Sequence, residues 1–264
     1  MMTSLILRVG TFNIRWDAPE DEHRWQQRRE PFVQLLREWS PDLLGLQEPL
    51  HSQLEQIADA LPAYTVLGIG REDGKEAGEF CPILYRTARF DLKVGGTFWL
   101  SSTPTVPGSA DWGNRIPRIC TWAVLGDRET GREFSLYNVH LDHESQAARE
   151  KSVQLLIDTL RQRAVGGPII VTGDFNAEPG NPAVRRLQAA GSPAPVSALS
   201  LASPTPPGTF HGFTGRASGG PIDYIFLSPE WHVLKADVLT GDSVAPFPSD
   251  HFPVAATLRL KPKQ

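Results

Sequence analysis

Five short polar strings, each at the end of an apolar run, carry side chains able to bind a cation, activate water and hold a phosphate. They are TFNIR at Thr11–Arg15, LQE at Leu46–Glu48, NVHLDH at Asn138–His143, VTGDFN at Val171–Asn176 and SDH at Ser249–His251. Strand ends bearing Asn, Glu, Asp and His are what a sheet needs to gather one site from distant stretches of chain. The chemistry these residue types suggest is divalent-metal hydrolysis of a phosphate ester.

Each string also has a local reading. Asp174 and Asn176 are two apart, so extended backbone points both the same way. The carboxylate can hold or deprotonate a water, and the carboxamide can donate to a phosphate oxygen; an Asx-turn after a strand would use the same residues. Glu48 closes LLGLQ, where a buried carboxylate is costly unless paired or bound to a cation. A hard ion such as Mg²⁺, which takes oxygen ligands, fits it; a carboxylate at the start of the next helix is the other reading. Asn13 can orient Glu48 or a metal-bound water, or make a turn. Asp250 and His251 are adjacent and point to different sides, so one can reach a metal and the other a substrate. Asp223 sits in GPIDYIFL and needs a partner; His251 is the natural one, in a carboxylate–imidazole pair. Alternation in NVHLDH sets Asn138, His140 and Asp142 on one side, with His140 suited to a phosphate oxygen. His140, Asp142 and His143 also admit a zinc reading. Arg118 and Arg149 are candidate phosphate clamps or surface ion-pair residues. Trp99, Phe210 and Phe213 can stack on a base or pack in the core.

The elements that must position these residues follow from pattern. Strands are expected at Leu5–Asn13, Asp42–Gln47, Tyr64–Gly70, Phe80–Tyr85, Phe90–Leu100, Ile119–Leu125, Glu133–His140, Ile169–Thr172, Ile222–Leu227, His232–Leu239 and Pro253–Leu260. Helices are expected over Glu20–Trp39, with Pro31 marking a start or kink, from a capping box at Ser52 to Leu61, over Ser145–Arg163 and over Pro182–Ala190. The Pro- and Ser-rich stretch Ala189–Gly208 reads as a long surface loop near the site. Interspersed strands and helices, with a hairpin around Asp127–Gly131, indicate mixed sheets covered by helices.

Composition narrows the function. The chain has 264 residues and 40% apolar side chains, enough for one sizeable core, so one domain over residues 1–264 is expected. A net charge of −4 argues against a sequence-independent DNA binder with a basic face. Cys81 and Cys120, the two cysteines, lie in apolar stretches and read as buried free thiols. No signal peptide or membrane span is legible, and a cytoplasmic protein is expected, with no protein partner evident.

In this order, TFNIR, LQE, NVHLDH, GDFN, IDYIF and SDHFP resemble the endonuclease/exonuclease/phosphatase superfamily, with matches from Val9 to Val254. The resemblance implies a deoxyribonuclease I-like, four-layer α/β sandwich of two packed mixed sheets flanked by helices, and a site using Mg²⁺ or Mn²⁺. It implies Glu48 as main metal ligand with Asn13 beside it and Asp250 near the metal. Asp174 would activate water, Asn176 would hold the phosphate, His251 paired with Asp223 would stabilise developing charge, and His140 would be a second phosphate contact or general acid. The string NVHLDH is closer to deadenylase and nocturnin-like branches and to an uncharacterised bacterial group. The segment Gly96–Trp122 resembles that group and would put Trp99 and Arg118 in the site wall. The expected substrate is a nucleotide, a nucleic-acid end or another small phosphodiester. A phosphomonoesterase or sphingomyelinase-like enzyme is the alternative, and a binding module that lost catalysis is the non-enzymatic one. A calcineurin-like site should show an early Asp-x-His, where this chain has Asn13-Ile14-Arg15.

Overall fold

Two parallel strand pairs form the centre of the molecule, one in each of two stacked sheets. The computed structural model describes residues 4–163, 167–190, 195–240 and 246–262. In the first sheet β1 (Ile6–Asn13) lies parallel to β2 (Leu43–Gln47). In the second, β7 (Glu133–His140) lies parallel to β8 (Ile169–Asp174). The remaining ladders are antiparallel. With β3 (Tyr64–Leu67), β4 (Ile83–Arg86), β11 (Trp231–Val238) and β12 (Val254–Leu260), the first sheet runs β11-β12-β1-β2-β4-β3. With β5 (Phe90–Trp99), β6 (Ile119–Asp127), β9 (Val196–Ser197) and β10 (Asp223–Leu227), the second runs β5-β6-β7-β8-β10-β9. Helices α1 (Trp25–Trp39) and α2 (His51–Ala60) cover the outside of the first sheet, burying Phe32, Leu36, Leu54 and Ile57 against Phe12, Leu44 and Leu46. Helices α3 (Gln146–Arg163) and α4 (Pro182–Gln188) cover the second, packing Val153, Leu156 and Val184 on Val139 and Val171. The result is the expected four-layer sandwich. No helix among the described residues is long and apolar enough to cross a membrane.

The inner faces of the central strands explain where the site must be. Leu7, Val9, Leu43, Leu136, Ile170 and Ile225 fill the space between the sheets. Two-residue alternation then brings a polar band: the Gln47 Nε2 donates to Thr11 Oγ1 (3.0 Å) and Asn138 Oδ1 (2.7 Å), and Thr172 Oγ1 donates to Asn138 Oδ1 (3.1 Å). Gly45 is required here, since a Cβ would come within 2.4 Å of Asn138 Oδ1. One step further along the same rows stand Asn13, His140, Asp174 and Asp223. The two parallel pairs end at the same edge, and β10 begins there. Asp174 is therefore the cross-strand partner of both His140 and Asp223.

Several local expectations shift. Helix α1 starts at Trp25 rather than Glu20, because Asp17 accepts from the Trp25 N–H (2.9 Å) and pairs with Arg24 (2.7 Å). Pro31 lies within that helix, and Gln27, whose carbonyl loses its partner, is exposed. Helix α2 starts at His51, one residue before the expected start; Gln53 turns its Oε1 back to the Leu50 N–H (3.0 Å). The stretch Ala189–Gly208 is not a plain surface loop. Residues 191–194 lie outside the described ones, but β9 and α5 (Ala198–Ala202) follow, and Ala198 and Leu199 are buried in the inter-sheet core. This stretch meets β10 at Phe226 and Leu227, the end away from Asp223. Cys81 and Cys120 are both buried thiols outside any disulfide.

Candidate active site

A cleft of about 780 Å³ opens at the edge where the central strands end, lined by Arg15, Glu48, His140, Asp174, Asp250 and His251 among others. Asn13 Nδ2 donates to Glu48 Oε1 (2.9 Å) and to Asp174 Oδ2 (2.9 Å), bridging the two sheets. The second Glu48 oxygen accepts from the Trp16 N–H (3.1 Å), and the second Asp174 oxygen accepts from the Asn176 N–H (2.8 Å). His251 Nδ1 lies 2.9 Å from Asp223 Oδ2, and its Nε2 lies 3.9 Å from Asp174 Oδ2. His140 Nε2 approaches Asp174 from the other side at 3.7 Å. Arg15, Glu48 and Asn176 all have positive φ (55°, 72° and 47°). Non-glycine residues in this region persist where surrounding contacts over-determine them, commonly at functional sites.

Electrostatics divide these groups. Burial raises Asp174 to about 7, reinforced by the charge of Asp223. Burial pulls the His251 imidazole down, but Asp223, Asp174 and Asp250 outweigh it and hold the ring as imidazolium, up to about 10. His140 is pushed well below the ordinary histidine range by burial and by Arg118 and Arg71, so it is neutral. A neutral ring suits a hydrogen-bond partner rather than a general acid. Glu79 is raised to about 7 by burial and the charge of Glu48. Asp250 is raised by burial and, in part, by Glu48.

The donor set fits a hard cation. Glu48 and Asp250 offer carboxylate oxygens to the same cleft, and the repulsion between them is what a divalent ion would relieve. Asn13 is turned otherwise: its Oδ1 accepts from the Arg15 N–H (3.0 Å), so it shows N–H groups to the acids and orients them. Asp174, Asp223 and His251 could also offer three atoms within 4.8 Å of one another to an ion. The short Nδ1···Oδ2 contact is a hydrogen-bonded pair, however, and we read the trio as a proton-holding chain.

Three expected residues fall elsewhere. Trp99 does not line the cleft; it is buried and its indole N–H donates to the Arg71 carbonyl (2.6 Å). Arg149 also lies off the cleft, donating to the Asp142 carbonyl (2.8 Å) and to Gln146 (2.8 Å), so it braces the start of α3 and is not a clamp. Asn138 lies one step too deep on β7 to meet a substrate; its Nδ2 donates to the carbonyls of Leu46 (2.7 Å) and Pro82 (2.9 Å). The zinc reading finds no support either. Asp142 accepts from the N–H groups of Glu144 (3.1 Å) and Ser145 (2.6 Å) and faces Arg118 (3.4 Å). Arg118 does reach the cleft, with Nη1 beside His140 (3.1 Å) and Nη2 beside His143 (2.7 Å). Asn176 lines the cleft while its Nδ2 faces His140 Nε2 (3.2 Å) and the Leu141 carbonyl (3.1 Å).

Sequence reasoning missed Arg15, Arg71 and Glu79. Arg71 forms a two-pronged pair with Glu79 (2.6 and 2.8 Å) in the cleft wall. The available signal was a charged turn between glycines, Gly70–Gly78, closing on an apolar strand.

Known proteins share this architecture. A family model for the Endonuclease/Exonuclease/phosphatase family matches residues 10–251. A Bacteroides vulgatus protein of that description is 33% identical, with a TM-score of 0.90 over 97% of this chain and 100% of its own. A mannosyl-6-phosphatase from Bacteroides thetaiotaomicron is 35% identical, with a TM-score of 0.87 over 96% of this chain and 99% of its own. Rat nocturnin is 27% identical over 264 residues, 89% of this chain but 58% of that protein. The chain thus spans little more than half the length of that curated relative.

Proposed function

The chain belongs to the endonuclease/exonuclease/phosphatase family, and on that premise we propose that it is a divalent-metal-dependent hydrolase of a small phosphate ester. The observation that carries this reading is the chain of contacts across the sheet edge. Asn13 joins Glu48 to Asp174, and Asp174 faces a His251 already paired with Asp223. Mg²⁺ or Mn²⁺, held by Glu48 and Asp250, would supply Lewis acidity toward a phosphoryl oxygen.

The chain's own residues carry the remaining roles. Asp174, with basicity raised toward neutrality, takes a proton from the attacking water as the water moves in line on phosphorus; general bases work best near the operating pH. The His251 imidazolium, fixed by Asp223, faces the charge that develops on the phosphoryl oxygens. Arg118 orders His140 and His143, and neutral His140 with Asn176 completes the polar wall. The Asn13 carboxamide keeps Glu48 and Asp174 from turning away.

A small substrate is supported by the pairing of the cleft's cations. Arg15 is matched by Asp21 (2.8 Å), Arg71 by Glu79 (2.6 Å) and Arg118 by Asp142 (3.4 Å). No spare cationic track is left among these three for a polymer backbone. The likeness to a mannosyl-6-phosphatase favours a phosphomonoester of a small polar molecule over the phosphodiester expected from sequence. The test is turnover of mannose 6-phosphate, 4-nitrophenyl phosphate, bis(4-nitrophenyl) phosphate and a dinucleotide with Mg²⁺ or Mn²⁺. Cation-dependent hydrolysis abolished by EDTA is expected. Hydrolysis undiminished by EDTA, or none of any ester, would overturn the reading.

A further inference from the structure

Helix α1 carries a charged side chain with no place in the cleft lining. Arg28 is fully buried. A guanidinium has five N–H donors, and here each meets a main-chain oxygen. Nε donates to His23 (2.7 Å), Nη1 to Ile14 (2.6 Å) and Pro248 (3.0 Å), and Nη2 to Arg15 (3.0 Å) and Trp16 (3.3 Å). Trp25 and Phe213 flank it, with ring centroids 5.5 and 5.7 Å from the guanidinium carbon.

The carbonyls it holds belong to informative peptides. The N–H of the Ile14–Arg15 peptide donates to Asn13 Oδ1, and that of the Arg15–Trp16 peptide donates to Glu48 Oε2. Arg28 therefore grips the backs of two peptide planes whose fronts orient Asn13 and Glu48. Its hold on Pro248 reaches 220 residues along the chain, to the residue just before Ser249–His251. A second link joins the same two segments, since Ser249 Oγ donates to the Asn13 carbonyl (2.6 Å). The gripped turn includes Arg15 at φ 55°, a conformation that surrounding contacts must hold.

We propose that Arg28 is a positioning residue that fixes the Asn13–Glu48 side of the site against the Asp250–His251 side. The proposal rests on the phosphoesterase reading above only for its kinetic consequence. Lysine would keep the charge but has three donors on one nitrogen, so at least two of the five carbonyls would lose their partner.

The experiment compares wild type with Arg28→Lys, and with Arg28→Gln should the first not fold. Amide hydrogen exchange is read over residues 14–17 and 249–252. Both segments should exchange about tenfold faster in the variant, while β7 and α3 keep their protection. With Mn²⁺ and the best ester found for the wild type, kcat should fall roughly 10–100-fold, the scale of small misplacements of reacting groups, with KM changed less than about twofold. Unchanged exchange in both segments, or wild-type kcat beside a lowered Tm, would show that Arg28 only stabilises the fold. If the wild type hydrolysed no ester, the functional reading would fail, and the exchange result would still decide the positioning role.

Discussion

At the scale of single residues, Asp174 shows what the site costs the fold. It is 1% exposed, accepts from Asn13 and Asn176, and sits beside a second carboxylate, Asp223. Its folded pKa, about 7 against an ordinary 3.8, has a definite consequence for stability. A carboxyl raised on folding favours the folded state below the unfolded pKa, and that contribution is lost as pH rises through the folded value. Asp174→Asn should therefore leave Tm at pH 8 equal to or above wild type, while kcat falls about 10²–10⁴-fold, the usual range for losing a general base. Thermal melts at pH 5 and 8 beside steady-state rates check both halves. A large drop in Tm at pH 8 would mean that Asp174 serves the fold rather than the reaction.

At the scale of elements, the segment Thr209–Gly215 illustrates how a loop becomes part of a rigid edge. The His211 N–H donates to the Asp250 carbonyl (2.8 Å), its ring stacks on Phe252 (centroids 4.0 Å apart), and its Nδ1 accepts from the Gly215 N–H (3.2 Å). The neighbouring Phe210 stands edge-on to His251 at 5.1 Å. Burial lowers His211 to about 4, against the opposing pull of a hydrogen bond with the His251 main chain. Because the folded pKa is depressed, stability is full above the unfolded value near 6.5 and is lost as pH falls through 4. His211→Phe should keep the stacking and remove the titration. Urea midpoints between pH 7 and 4 should then fall less for the variant than for wild type; parallel curves would place the acid sensitivity elsewhere. Elements were legible where their cause is local. Apolar runs marked β1 and β8, and alternation marked the end of β7. The true start of α1 depends on Asp17, eight residues before Trp25, and the helix within Ala189–Gly208 depends on burial against two strands.

At the scale of the whole molecule, a net charge of −4 and arginines matched by acids leave little for long-range attraction of a polymer. Turnover of a small ester should depend only weakly on salt, because few phosphates are neutralised by protein cations. Measured across a salt series, kcat/KM for mannose 6-phosphate should change little, and a long single strand should be no better a substrate at any ionic strength. A strong preference for the polymer with a steep salt slope would point to a nuclease with a basic groove. The sequence by itself determined the family and the sandwich, because its ordered strings resemble one superfamily, and it set four of the five strings at strand ends, because apolar runs that turn polar are written locally. Alternation sets Leu7, Val9, Thr11 and Asn13 on one face of β1, but apolar residues stand on both faces, and the packing of the sheets made this face the inner one. Only the tertiary structure decided that Trp99 braces Arg71 and Arg149 braces Asp142. It also revealed the Arg71–Glu79 pair in the cleft and Arg28 closing on five carbonyls, one of them 220 residues away. A side chain's type and local pattern give its chemistry, but which loop it meets is set by how two sheets stack, and no local period encodes that.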